Sequence, residues 1–255
     1  MSLLAAFQFL TIIPLWTPKT ATPEKIRHSL AFFPLVGAVI GLAMALLDKG
    51  MLEIFPSRVS SVVLLAALVI VTGAIHMDGL IDTCDGLLGG KTPERRLEIM
   101  KDPRVGAFGV LGAVFVLMIK WGALMSLGAP VRASGIILFP VAGRAAMAIA
   151  VNRFRYARAE GTGRIFADGP TDVPMMFAVL TALVAATLLF GWQGIVLMLA
   201  CGAFAITVAL YIKSRIGGLT GDSYGAINEI TEVAMLLGLL AFARYGWLHP
   251  LLWKG

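Results

Sequence analysis

Apolar residues gather into long runs along this chain, and the polar ones are confined to the short stretches between them. The runs lie near 30–47, 59–76, 106–128, 133–151, 174–191, 194–212 and 230–248. Crossing the hydrocarbon core of a bilayer takes roughly 20 largely apolar residues in a helix, so each run is a candidate span. Pro56, Pro103, Pro130, Pro174 and Pro250 stand at the edges of the runs, where proline is tolerated far better than in a helix interior. The pattern predicts an all-α fold, a polytopic transmembrane helix bundle of seven spans, or six if the first or last lies flat. Residues 3–15 are also apolar, but Pro14, Pro18 and Pro23 end them too early for a span, and they read as an interfacial or re-entrant segment. No basic residue precedes that segment and no small-residue cleavage pattern follows it, which argues against a signal peptide. With no repeat, low-complexity tract or soluble linker, residues 1–255 are expected to form a single membrane domain.

Composition agrees with a bilayer environment. Hydrophobic residues make up 58% and charged residues 14%, against about 45–50% and about 25% in soluble domains. The formal net charge of +6 is not accompanied by a basic helix, zinc spacing or aromatic RNA-binding box, so no nucleic-acid partner is expected. The basic excess instead follows the positive-inside rule. Alternate segments hold Lys19, Lys25 and Arg27; Lys91, Arg95, Arg96, Lys101 and Arg104; Arg153, Arg155, Arg158 and Arg164; and Lys213 and Arg215. The opposite set holds only Lys49, Arg58, Arg132, Arg244 and Lys254. The N-terminus and the three longer loops should therefore face the cytoplasm. Cys84 and Cys201 lie in different apolar segments and form neither a disulfide framework nor a metal knuckle.

Nine of the 15 acidic residues fall in two short stretches. The first runs from His76 through Asp78, Asp82 and Asp85 to Glu94, Glu98 and Asp102; the second holds Asp222, Glu229 and Glu232. At about 100° per residue, Asp78, Asp82 and Asp85 share an arc of about 60° on one helix face, with His76 pointing away. Asp222, Glu229 and Glu232 share an arc of about 80° if the chain is helical from Asp222 onward. Carboxylates so close repel one another, and near a bilayer water screens them poorly. A cation between them relieves this, and an all-oxygen set suits Mg²⁺ or Mn²⁺ rather than zinc. A single such aspartate could equally cap a helix; three at helical spacing beside an apolar span point to a metal. Gly221 and Gly225 leave the second face open to close approach by a ligand or another backbone.

A cation held by acids suits a phosphorylated substrate, with arginines neutralising the remaining charge. Arg153, Arg155 and Arg158 stand at the inner end of the fourth candidate span, where they could equally anchor it at the headgroups. Gly161-Thr162-Gly163 offers backbone amides nearby, and Lys101-Asp102-Pro103-Arg104 closes the first acidic stretch, within reach of phosphate. Lys120 and Arg144 sit inside apolar runs, either functional or snorkelling to the interface.

Four segments carry a resemblance to a known family. They are Gly73 through Gly86, containing His76-Met77-Asp78-Gly79-Leu80-Ile81-Asp82-Thr83-Cys84-Asp85-Gly86; Arg96 through Gly106; Arg155-Tyr156-Ala157-Arg158-Ala159-Glu160-Gly161; and Thr220-Gly221-Asp222 through Glu229. In order and spacing, over nearly the whole chain, they resemble adenosylcobinamide-GDP ribazoletransferase, the membrane-bound cobalamin synthase family. Pro103 stands where that family is expected to have a small polar residue such as serine.

The resemblance implies that adenosylcobinamide-GDP is joined to α-ribazole or its 5′-phosphate, giving adenosylcobalamin or its phosphate and GMP, with Mg²⁺ as the ion. On that expectation Asp78, Asp82, Asp85 and Asp222 hold metal, and Asp82, Asp102 and Glu229 are catalytic, with Glu229 or Asp102 the candidate base. His76, Lys101, Arg104, Arg155 and Arg158 bind substrate. The protein would sit multi-pass in the inner membrane with its site facing the cytoplasm, and homo-oligomerisation is left open. Asp82-Thr83-Cys84-Asp85-Gly86 also resembles the start of the CDP-alcohol phosphotransferase motif, but Leu87-Leu88-Gly89-Gly90 follows where that motif has Ala-Arg. A cation transporter is a third possibility, weakened because the acidic stretches gather at one face and leave the outer halves of the spans apolar.

Overall fold

The computed structural model describes residues 2–14, 22–161, 163–167 and 169–251; Leu15, Pro18, Lys19, Thr162 and Lys254, used above, lie outside them. The described residues form helices: α1 Ser2–Leu10, α2 Pro23–Ser29, a 3₁₀ turn Leu30–Phe32, α3 Phe33–Leu52, α4 Ser57–Val71, α5 Ile75–Gly89, α6 Pro93–Ile99, α7 Ala107–Ser126, α8 Ala129–Arg153, α9 Arg164–Ala167, α10 Asp172–Ile216 and α11 Gly221–Arg244. Among them the one β-type pairing is an isolated parallel bridge between Tyr156 and Leu219. The starts of three helices follow from their side chains. Thr22, Thr92 and Thr220 each accept a hydrogen bond from the backbone N–H three residues on, and Pro23 and Pro93 supply first-turn prolines.

Five stretches are long and apolar enough to cross a membrane, Pro23–Leu52, α7, α8, α10 and α11, and α4 with α5 qualify together as a bent pair. The 45 residues of α10 would measure about 68 Å if straight, more than twice the hydrocarbon core of about 30 Å. They are not straight: Gly191, at φ 60° and ψ −142°, breaks the helix. Past the break Gly194 abuts Ala186, and Val179, Ala182 and Leu183 share a cavity with Met198, Gly202 and Ile206. The two limbs thus run back along each other and make two passes, matching the expected runs 174–191 and 194–212.

The expected span 59–76 is shorter than the sequence suggests. It ends at Val71, after which Gly73 (φ 59°) and Ala74 (φ 58°) enter the left-handed region, and α5 leaves at 89° to α4. The N–H groups of Gly73 and Ala74 bond back to Ile70 and Val69, while Ile12 donates to the Val71 carbonyl. The break is thereby sealed, and the N-terminal segment is tied to it. At 15 residues α4 is short of a full crossing and qualifies only together with α5; α5 itself lies across the end of the bundle, over the first turns of α7 and α11.

At the centre stands α8, packed against α3, α10 and α11. On α3, Gly37 and Gly41 are so close to it that an added Cβ would lie 2.6 Å from the Pro140 carbonyl oxygen and 2.7 Å from Ile137 Cα; small residues permit this approach in membrane bundles. Large apolar side chains such as Leu46, Phe115, Leu188 and Leu199 are exposed on the outer faces, as lipid contact requires.

Among the described residues, two charge clusters lie inside the bundle. Lys120, 1% exposed, sits 2.7 Å from Glu229 and 2.5 Å from Glu232, and Arg144 pairs with Glu232. Arg132, expected in a loop, is buried and donates to Asp48 at 2.7 Å; Ser60 Oγ donates to the same carboxylate at 2.5 Å, and Ser61 Oγ accepts from Arg132 at 3.2 Å. So Lys120 and Arg144 do not snorkel, and the spans beyond the acidic stretches are not wholly apolar. Burying a lone charge is costly, and pairing it inside the bundle is the usual remedy.

Candidate active site

The site is made by the crossing of α5 over the first turns of α11. An added Cβ on Gly79 would lie 2.6 Å from the Asp222 carbonyl oxygen, and one on Gly225 would lie 2.9 Å from that of His76. The open face at Gly225 is thus used by another backbone. This close crossing brings Asp78 and Asp82 beside Asp222; Asp78 is exposed and the other two are partly buried. Burial, then the charges of Asp222 and Asp78, push Asp82 up to about 7, while Arg158 pulls the other way.

Arg158 is held where it meets this group. Its Nη1 lies 2.9 Å from Asp222 and its Nη2 donates to the Met100 carbonyl at 3.4 Å. The loop that carries it is stitched to the residues before α11: Ala157 N donates to Leu219 O at 2.7 Å, and Leu219 N to Arg155 O at 3.0 Å. A cavity of about 370 Å³ opens here, lined by Arg153, Arg155, Arg158 and Arg164 with Asn152 and Tyr156. Val151 and Phe166 also wall a second cavity of about 230 Å³, which His76, Asp78, Asp222 and Tyr224 line. A larger cavity of about 500 Å³ between α4 and α7 is wholly apolar and holds no group able to do chemistry.

Several expected site residues lie elsewhere. Asp85 is buried, and its two oxygens accept from the N–H groups of Gly106 at 2.7 Å and Gly109 at 2.8 Å. It closes the N-terminus of α7, satisfying donors that a helix start leaves free; both oxygens are engaged there, although its charge still reaches Asp82. Glu229 lies two turns into α11 from Asp222 and is bonded to Lys120 in the interior; the second acidic stretch therefore splits between mouth and core. Asp102 is chelated by Arg104 at 2.9 and 2.7 Å, and those bonds hold it down at about 2, which suits a proton acceptor poorly. Lys101 and Arg104 are exposed on the loop before α7, and Arg155 lines the arginine cavity. His76 is buried against the second cavity. Tyr224 and Phe166, which also wall that cavity, were not singled out from the sequence. Tyr224 lay within a quoted acidic stretch, whereas Phe166 carried no signal at all.

Among the described residues no three His, Cys, Asp or Glu side chains form a ready metal cage. That does not disqualify Mg²⁺, which usually takes one or two carboxylates, several waters and substrate phosphates. Asp78, Asp82 and Asp222 supply oxygen donors of the right kind, and the crowding that raises Asp82 is what a cation relieves.

Comparison with known proteins agrees with this picture. Residues 2–240 match the family model described as cobalamin-5-phosphate synthase. Curated relatives named adenosylcobinamide-GDP ribazoletransferase include those of Desulfitobacterium hafniense (39% identity, covering 91% of this chain and 94% of the relative), Geotalea daltonii (36%, 92% and 95%) and Pseudomonas savastanoi (37%, 92% and 96%). No solved structure matches. A match over nearly the full length, with a polytopic helical fold and acidic motifs meeting at one helix crossing, establishes that this chain belongs to the cobalamin-5-phosphate synthase family.

Proposed function

We propose that this chain is a single membrane-embedded transferase that joins adenosylcobinamide-GDP to α-ribazole or its 5′-phosphate, releasing GMP. The family and its relatives' names support the substrates. The observation that carries the chemistry is the meeting of Asp78, Asp82 and Asp222 with Arg158 beside an arginine-lined cavity. The alternation of basic loops supports a cytoplasmic site in the inner membrane.

Asp78, Asp82 and Asp222 would hold Mg²⁺, which when bound neutralises charge on the diphosphate. The ribazole 3′-hydroxyl attacks the phosphorus attached to cobinamide, and the bond between the two phosphates breaks. One of these carboxylates accepts the hydroxyl proton once the ion has relieved the crowding that raises Asp82. Arg158 and Arg155 stabilise the charge on departing GMP. Asp85 sets the start of α7 and stays out of the metal set. The buried Glu229 and Glu232 neutralise Lys120 and Arg144 in closed pairs rather than lining a passage, so a transporter is not proposed.

Donor choice tests the proposal. Purified protein in lipid nanodiscs, given α-ribazole and either adenosylcobinamide-GDP or a CDP-alcohol, should release GMP from the first and no CMP from the second. CMP release without GMP would move the chain to the phospholipid-type reaction.

A further inference from the structure

The 230 Å³ cavity beside the carboxylates has walls that no phosphate requires. Phe33 meets Phe166 edge to face at 5.8 Å between centroids, Phe9 stacks on Phe33 at 5.8 Å, and Met147 lies in the same wall. Set among these are two polar atoms without a hydrogen-bond partner, His76 Nε2 and Tyr224 Oη, on residues 3% and 4% exposed. Buried polar atoms are nearly always paired, and those left over call for a ligand or an ordered water. Flat apolar walls with two unsatisfied polar atoms specify a planar ring bearing few polar atoms.

We infer that this cavity binds the aromatic base of the acceptor nucleoside, a benzimidazole, with its ribose directed to Asp78 and Asp222. The inference rests on the proposed function and assigns the acceptor its place. Size limits the choice of ligand. An apolar cavity of about 150 Å³ accepts benzene, so 230 Å³ accepts a fused two-ring system but excludes a corrin macrocycle. Guanine is also a fused pair of rings, but its N–H donors would claim Asp78 and Asp222, the carboxylates proposed to hold the ion, and Phe9, Phe33, Phe166 and Met147 offer its remaining polar atoms no partner. A benzimidazole nucleoside presents one ring nitrogen acceptor and otherwise apolar edges. Tyr224 Oη, as donor, or His76 Nε2, in its protonated tautomer, satisfies that nitrogen. The position suits the reaction, because Asp78 and Asp222 line both this cavity and the metal site, bringing the nucleoside's sugar next to the diphosphate.

The test is equilibrium binding of α-ribazole, without donor, to nanodisc-embedded protein, with binding of adenosylcobinamide-GDP measured in parallel. Tyr224→Phe keeps the ring and removes the hydroxyl; it should weaken α-ribazole binding about tenfold, as expected for one lost hydrogen bond, and leave donor affinity unchanged. Met147→Trp fills the cavity and should abolish α-ribazole binding, with retained donor binding showing that the variant is folded. If both variants bind α-ribazole as the wild type does, or if they lose the donor instead, the base lies elsewhere and the inference is overturned. Wild-type protein that releases no GMP from the two substrates would refute the functional proposal itself, a different outcome from normal turnover with unchanged variants.

Discussion

Lys120→Met removes the cation from the most enclosed charge cluster in the bundle. In the native structure Lys120 bridges Glu229 and Glu232, Arg144 pairs with Glu232, and Asn228 donates to Glu232 at 3.1 Å. Two acids face two bases, so the cluster is neutral. The substitution leaves two carboxylates with one guanidinium, and Glu229, on a residue 5% exposed, loses its direct ionic partner. Breaking a buried pair by removing one member costs about 3–5 kcal/mol. The double variant Lys120→Met/Glu229→Gln restores neutrality around the Arg144–Glu232 pair and should recover most of that loss. Reversible unfolding in mixed micelles measures all three proteins and the coupling between the two sites. The cluster also fixes α7 and α8 against α11, so Lys120→Met should lower GMP release along with stability. A single variant as stable as the wild type, or a double variant no better than the single, would refute the ion-pair account.

Other consequences can be checked with the same protein. Asp82→Asn should abolish GMP release while the chain still inserts and folds. Because the folded structure holds Asp82 at about 7 against an ordinary 3.8, its ionisation opposes folding, and stability should decline as pH rises from about 4 to about 7 without Mg²⁺. Asp82→Asn should remove that slope, as thermal unfolding across the range will show. For the same reason activity should fall on the acid side of a midpoint at or below about 7. Arg158→Gln, which removes a charge that favours ionised Asp82, should move the midpoint of that pH–rate profile upward. Gly79→Val places branched carbon against the Asp222 backbone, where even a Cβ would lie 2.6 Å from its oxygen. It should part α5 from α11 and reduce turnover at least tenfold, more than it reduces expression. Asp85→Ala leaves the Gly106 and Gly109 amides without their acceptor and should cost about 1–3 kcal/mol of stability, measured by the same unfolding assay.

Long apolar runs made most passes legible, because a bilayer imposes one length and one composition on every span. The end of α4 was hidden: Ala74 in a left-handed conformation has no sequence signature, so Val71 and Ile75 read as parts of one run. Helical phase correctly set Asp78 near Asp82, but phase is a property of one helix. Asp85 shares that phase, and its role was decided by two amides more than twenty residues away. Glu229 and Glu232 looked like a second metal stretch because the partners that claim them, Lys120 and Arg144, belong to other helices. Charges inside apolar runs signalled that partners must exist; only the packing of α7 and α8 on α11 said which. The close crossing at Gly79 and Gly225 was foreshadowed by the glycines, without indication that each would meet a backbone.

The most direct test of the central claim is GMP formation from adenosylcobinamide-GDP and α-ribazole by nanodisc-embedded protein as Mg²⁺ is titrated, with Asp78→Asn, Asp82→Asn and Asp222→Asn alongside. Saturable Mg²⁺-dependent release by the wild type, with activity lost in Asp82→Asn and the Mg²⁺ requirement raised or activity lost in the other two, is the result expected. Undiminished release after chelation of divalent ions, or wild-type rates in all three variants, would contradict it.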